Sequence, residues 1–110
     1  MHELSLTQNI LDLALKHDGA RRVTRVNLLI GEFSDEREGA IRFYWEDSAR
    51  GTLAENAELC FRRVDAKMKC LACETVFHPD QEAVLCPVCQ SHHLKLISGD
   101  DVRLESIDVE

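Results

Sequence analysis

The chain of 110 residues has no long apolar run. No stretch approaches the roughly 18 consecutive apolar residues that mark a membrane-spanning helix. The first twenty residues place Glu3 and Asp12 among their apolar positions and have no basic stretch ahead of them, so no signal peptide is expected. Positive charge is scarce: 13 basic residues stand against 20 acidic ones, a formal charge of −7. That field repels phosphate backbones and argues against nucleic-acid or membrane partners. Aromatic residues make up only 5%, too few for a base-stacking platform. Five glycines and two prolines leave no room for a low-complexity segment. Zinc-enzyme signatures are missing as well. His-Glu-x-x-His fails because Leu6 stands where the second histidine would. The deaminase pattern needs His-x-Glu before Pro-Cys-x-x-Cys, whereas here His2 and Glu3 are adjacent and Pro87 follows Cys86. Catalysis is therefore not expected, and neither is a leader; the cytosol is the expected compartment.

What is present is cysteine in pairs. Cys70-Leu71-Ala72-Cys73 and Cys86-Pro87-Val88-Cys89 are separated by twelve residues. Two cysteines three apart can put both sulfurs on one metal from a single tight turn, and two such turns complete a tetrahedral sulfur set, which suits zinc. The gap is shorter than the common template of about 15–20 residues but leaves space for two short strands, expected near Val76-Phe77 and Ala83–Leu85. Two disulfides, or four unrelated buried thiols, are the alternative. A thioredoxin-like redox pair is disfavoured by the second copy and by the lack of a βαβ context. With every position filled by protein such a site is closed and structural. Cys60, in an expected strand, reads as a small buried core residue. His78, His92 and His93 read as exposed loop histidines.

The remaining pattern predicts an α+β fold. An amphipathic helix is expected over residues 5–17, capped by Ser5 and stopped by Gly19, with Leu6, Ile10 and Leu13 on its apolar face. Residues 22–31 alternate as a strand, Val26, Leu28 and Ile30 on one face with Arg25 and Asn27 opposite. A second helix is expected from about Asp35 to Arg50, with Ile41, Tyr44, Trp45 and Ser48 sharing a face. Strands are expected at 58–65 and at Val102–Val109, the latter with Arg103, Glu105, Ile107 and Val109 opposite Leu104. Together these give a small three-stranded sheet with two helices against it, and a zinc-ribbon-like module inserted before the final strand. Residues 1–66 and 98–110 would form the α+β domain and 67–97 the module, with mobility expected at Ala66–Lys69 and Ile97–Gly99.

The amino terminus offers a second donor set. Methionine is expected to be retained before histidine, which is not small. The α-amine of Met1, the amide nitrogen of His2 and its imidazole Nδ1 can then close adjacent chelate rings in a plane, the geometry of Ni(II) or Cu(II). Glu3 could add a carboxylate or hold the arm. Taken alone, these three residues are better explained as a solvated terminus; beside the two cysteine pairs the balance changes.

Met-His-Glu-Leu-Ser-Leu ahead of a helix, the segment from Val26 to Gly31-Glu32-Phe33-Ser34, Gly51-Thr52-Leu53-Ala54-Glu55, the two cysteine pairs and a terminal Ile107-Asp108-Val109-Glu110 occur in one order. Along essentially its whole length the chain resembles the HypA/HybF family, the nickel chaperones of nickel–iron hydrogenase maturation. The resemblance implies His2 as principal nickel ligand, with Met1 and backbone nitrogens beside it and Glu3 supporting. It also implies zinc on Cys70, Cys73, Cys86 and Cys89. The implied partners are the GTPase HypB and the hydrogenase large-subunit precursor, and in some members urease is served too. Two departures stand out. Arg37 lies where some members carry an acidic residue, though Asp35, Glu36 and Glu38 surround it. Glu74 and Gln90 succeed the cysteine pairs where some members place histidine, so a urease role is less expected. The competing reading is a zinc-ribbon adaptor for nucleic acid or a protein partner.

Overall fold

The structure, a computed structural model, describes residues 3–79 and 85–110. Helix α1 (Glu3–Lys16) turns Ile10, Leu11 and Ala14 inward. It begins two residues before the expected Ser5 cap, and the hydroxyl of buried Thr7 donates to the Glu3 carbonyl. Beyond its end Asp18 Oδ1 accepts the Ala20 amide at 2.8 Å, and Gly19 and Ala20 both take positive φ. An aspartate turn of this kind lets a non-glycine residue adopt the left-handed region.

Strand β1 (Val23–Gly31) is the centre of the first sheet, and its alternation buries Val26, Leu28 and Ile30 as expected. Helix α2 (Glu38–Ser48) starts later than its acidic run suggests. The Ser34 hydroxyl accepts the Glu36 amide at 3.1 Å, so residues 34–37 make a turn and Arg37 stays extended as the N-cap. Strand β2 (Glu58–Val64) then lies parallel to β1, and β6 (Val102–Val109) lies antiparallel on the other side, giving the order β2-β1-β6. β1, α2 and β2 thus form a βαβ unit, which local sequence pattern does not announce; the cysteine pairs lie outside it.

Both helices cover one face of this sheet. Ile10, Leu11, Val26, Leu28, Ile41, Trp45 and Leu59 make the core, each worth about 1.5–3 kcal/mol for its burial if aliphatic. On the open face Arg25 bridges Glu58 (3.3 Å) and Asp108 (3.6 Å), and Asn27 Nδ2 donates to Ser106 Oγ at 3.0 Å. Cys60 belongs to this face and not to the core. It sits opposite Asn27, half-buried, and its thiol donates to Glu58 Oε1 at 3.1 Å, which pushes its pKa up.

The alternation expected for β6 also needs correcting. Asn27 pairs with Ser106 but Leu28 pairs with Leu104, so Glu105 is an extra residue in a bulge. The bulge reverses the parity of the strand. Val102, Leu104, Ile107 and Val109 therefore all pack on the core, and Glu105 meets Arg62.

A second sheet carries the cysteines: β3 (Lys67–Cys70), β4 (Val76–Phe77) and β5 (Leu94–Ser98), in the order β4-β3-β5. β4 is the strand expected there; the other expected strand falls on residues 83–84, outside the described residues, with Leu85 in a bend. β3 and β5 occupy much of what composition marks as linkers. Between the sheets the backbones touch: a Cβ on Gly99 would lie 2.5 Å from Ala66 Cα, and one on Gly31 would lie 2.3 Å from the Gly99 carbonyl carbon. The whole is elongated, 54 × 23 × 16 Å.

Candidate metal centre

Each cysteine pair closes the same turn. At the first, Cys70 ends β3, its carbonyl accepts the Glu74 amide at 2.8 Å, and its own amide donates to the Thr75 carbonyl at 2.9 Å. At the second, the Cys86 carbonyl accepts the Gln90 amide and the Cys86 amide donates to the Ser91 carbonyl, both at 2.9 Å. Glu74 and Gln90 take matching positive φ, 64° and 63°. These turns point backbone N–H groups at sulfur. The Cys73 amide donates to Cys70 Sγ at 3.4 Å, and the amides of Val88 and Cys89 donate to Cys86 Sγ at 3.3 and 3.4 Å. Such donors favour the thiolate form.

The two turns face each other so that sulfurs from different pairs are neighbours. Cys70 Sγ is 3.5 Å from Cys89 Sγ, Cys73 Sγ is 3.6 Å from Cys86 Sγ, and all four lie within 4.8 Å of one another. A tetrahedron with Zn–S bonds of about 2.3 Å has sulfur–sulfur edges of about 3.8 Å, so the set fits a zinc ion. The separations are far beyond a disulfide bond of about 2.05 Å. All five cysteines are free thiols, which removes the disulfide alternative. Cys70 and Cys86 are buried while Cys73 and Cys89 are exposed.

Without a cation the thiols divide their protons unevenly. The Thr75 hydroxyl, 3.1 Å away, and the Thr75 amide hold Cys73 down at about 6. The amide of Cys73 lowers Cys70. At Cys89 the Ser91 amide pulls downward, but the surrounding sulfurs of Cys70, Cys73 and Cys86 outweigh it and push the thiol up to about 12. Four thiolates cannot share this volume uncompensated; a divalent cation would compensate them. With all four ligand positions supplied by cysteine, such a centre would have the closed form of structural zinc sites. Thr75 and Ser91, which tune the sulfurs, carry no signal in the sequence because neither belongs to a ligand pattern.

Among the described residues no histidine or carboxylate joins the sulfur cluster. His92 and His93 are exposed and stack on each other with ring centroids 4.7 Å apart. His78 is exposed too, but it is not a free loop residue: its Nε2 lies 2.7 Å from Glu32 Oε1. Of the three residues expected at the nickel site, Met1 and His2 lie outside the described residues. Glu3 is in the first turn of α1, and its Oε2 accepts the Arg37 amide at 3.4 Å. That contact brings the first turn of α1 beside the segment of Asp35 and Glu36 and the start of α2 at Glu38. An open pocket of about 650 Å³ lies there, lined by Glu32, Asp35, Glu36, Glu38 and Arg63 among others.

Comparison with known proteins agrees with this architecture. The family described as "Hydrogenase/urease nickel incorporation, metallochaperone, hypA" matches residues 1–109. The hydrogenase maturation factor HypA of Dehalococcoides mccartyi (strain 195) is 34% identical over 113 residues, spanning 100% of this chain and 95% of that protein. The HypA of Geobacter sulfurreducens is 36% identical over 110 residues and spans 100% of both. The solution structure of the Ni metallochaperone HypA from Helicobacter pylori matches with a TM-score of 0.77 at 26% identity, covering 99% of this chain and 97% of that one. A second HypA solution structure, 24% identical, shares the fold with a TM-score of 0.71. By this end-to-end match the chain belongs to the HypA family of nickel-incorporation metallochaperones.

Proposed function

We propose that the protein carries Ni(II) on its amino terminus and delivers it to the large-subunit precursor of a nickel–iron hydrogenase. Nickel is cargo. The Met1 amine, the His2 amide nitrogen and the His2 imidazole supply three donors in a plane, with Glu3 supporting them from the first turn of α1. A fourth position stays open for a donor of the recipient, so transfer proceeds by ligand exchange and needs no catalytic group. Cys70, Cys73, Cys86 and Cys89 hold zinc permanently and fold the module of residues 67–97 apart from the domain built from 1–66 and 98–110. The GTPase HypB is the partner with which nickel is passed in the cytoplasm. Glu74 and Gln90 beside the cysteine pairs favour hydrogenase over urease as the destination.

The observation that carries this reading is the four-cysteine cluster, all four sulfurs within 4.8 Å of one another, in a chain matched from residue 1 to 109 by the family described as a nickel-incorporation metallochaperone. The sulfur set is closed and satisfied by its own geometry, which leaves the nitrogen donors of the terminus for a metal that must leave again. The test is metal binding by tag-free protein beside the same chain with Gly-Ser added before Met1. Both should hold one zinc, and only the unextended chain should take up Ni(II) as a planar, diamagnetic complex. Equal nickel uptake by the extended chain would overturn the terminal site.

A further inference from the structure

Two chain segments alone join the cysteine module to the α+β domain, Asp65–Ala66 on the way out and Ser98–Gly99 on the way back. The first part of this neck is firmly built. β1 is prolonged between the two segments, the Glu32 amide donating to the Val64 carbonyl (2.9 Å) and the Phe33 amide to the Gly99 carbonyl (2.7 Å). Gly31, Gly99 and Ala66 stack backbone on backbone with no space for an added Cβ on either glycine. Beyond residues 66 and 99 the support ends. β3 and β5 leave side by side, Lys67 opposite Ser98, as a two-stranded connection. Only the Lys67–Ser98 pair is two-stranded before β4 joins β3 at Met68, and two-stranded ribbons twist more strongly than wider sheets. A contact displaced from the neck has the leverage to fix the angle at which the module leaves it.

Glu32 makes such a contact. Its Oε1 accepts the Ala66 amide at 2.9 Å and faces His78 Nε2 at 2.7 Å. His78 directly succeeds β4, which lies on the far side of β3 from β5. The bond therefore acts off the axis of the two connecting chains. Among the described residues no other side chain of the α+β domain hydrogen-bonds a side chain of the module. The Ala66 amide first, then His78, with Arg63 more weakly, hold the Glu32 carboxyl below its ordinary range, so the acceptor is charged at neutral pH. Arg63 on β2 shares the pocket beside Glu32, and Asp65 and Lys67 share the one beside His78.

We propose that Glu32 is a positioning residue and that Glu32–His78 is a latch which sets the angle between the cysteine module and the α+β domain. With the latch closed the two sheets move as one body. With it open the module swings at the Lys67–Ser98 pair, just beyond the packed Ala66 and Gly99, its sulfur cluster intact, as hinges at element ends do. The inference needs no metal at the amino terminus and stands apart from the nickel reading.

The test is residual dipolar coupling of backbone amides in the zinc-loaded full chain, aligned weakly in solution. In the unaltered protein the amides of β1, β2 and β6 and those of β3 and β5 should fit one alignment tensor. His78→Ala and Glu32→Gln should each require two tensors, with the module's couplings reduced, each sheet internally unchanged and one zinc retained. His78→Gln, whose amide still donates to Glu32, should restore the common tensor. A single tensor surviving in His78→Ala, or two tensors already present in the unaltered protein, would overturn the latch. His78 is exposed, so the pair at that position decides the matter even if Glu32→Gln fails to fold.

Discussion

Replacing Gly99 with alanine tests the packing of the neck most directly, because two separable costs act at this position. Gly99 has φ +88, and a left-handed conformation costs an alanine about 1–2 kcal/mol. The added Cβ would also stand 2.5 Å from Ala66 Cα, 2.8 Å from Ala66 N and 3.0 Å from the Asp65 carbonyl carbon. Carbon atoms in contact prefer about 3.5–4.0 Å, so the backbones must separate by about 1 Å. All three atoms are main chain, and no rotamer change relieves them. Separation loosens the bond from the Phe33 amide to the Gly99 carbonyl, now 2.7 Å long and worth about 1 kcal/mol. With the packing of buried Ala66 lost as well, the total comes to about 3–5 kcal/mol, at the upper end for single substitutions. Gly19→Ala is the internal control: φ is +63 there, and nothing lies within 4 Å of the added Cβ. It should cost only the conformational part, about 1–2 kcal/mol. Urea unfolding of zinc-saturated protein, followed by fluorescence of the single tryptophan, Trp45, in the core of the α+β domain, measures both. Equal midpoint shifts for the two substitutions would refute the close-packed neck.

Cys73→Ser should abolish zinc binding and the ordered amide spectrum of the module while leaving Trp45 fluorescence unchanged, since the core of the first sheet contains no residue of the module. Cys60→Ser is its counterpart: on the open face, away from the sulfur cluster, it should keep one zinc and shift stability by no more than about 0.5 kcal/mol. The contribution of Glu32 should depend on pH in one direction. Its carboxyl is lowered from 4.5, so the stability difference between the unaltered protein and Glu32→Gln should be full above pH 4.5. It should shrink as pH falls through the lower pKa of the folded state, because protonation removes the charge that the Ala66 amide and His78 bind. Urea midpoints of both proteins across this range read the difference directly, and a gap that widens on acidification contradicts the assignment.

Much of the α+β domain is legible in the sequence because its elements arise from local periodicity. The period-2 run at Val26, Leu28 and Ile30 and the helical spacing of Ile41 and Trp45 each bury the face they announce. Legibility fails where a residue's place depends on its neighbour across the sheet. Cys60 alternates with Leu59 and Phe61 as a strand residue should, yet its face is the open one, and nothing in residues 58–64 tells which side the helices cover. β6 reads as plain alternation from Val102 to Val109, whereas its bulge at Glu105 is set by pairing with Asn27 and Leu28, some eighty positions earlier.

The cysteine centre is legible for a different reason. A ligand turn is complete within six residues: the amide and carbonyl of the first cysteine bond residues four and five positions on, so the spacing carries the chemistry with it. The strands that present those turns are not local. β3 and β5 contain Lys67, Lys69, Lys95 and Ser98, which read as linker, yet they pair side by side and bring Cys70 to Cys89 across 19 residues. The same reasoning locates Glu32. In the sequence it is one acidic residue after a strand-ending glycine; only in the folded module does His78 come within 2.7 Å of it. Removing zinc should therefore release the latch along with the module, even though neither Glu32 nor His78 belongs to the sulfur cluster.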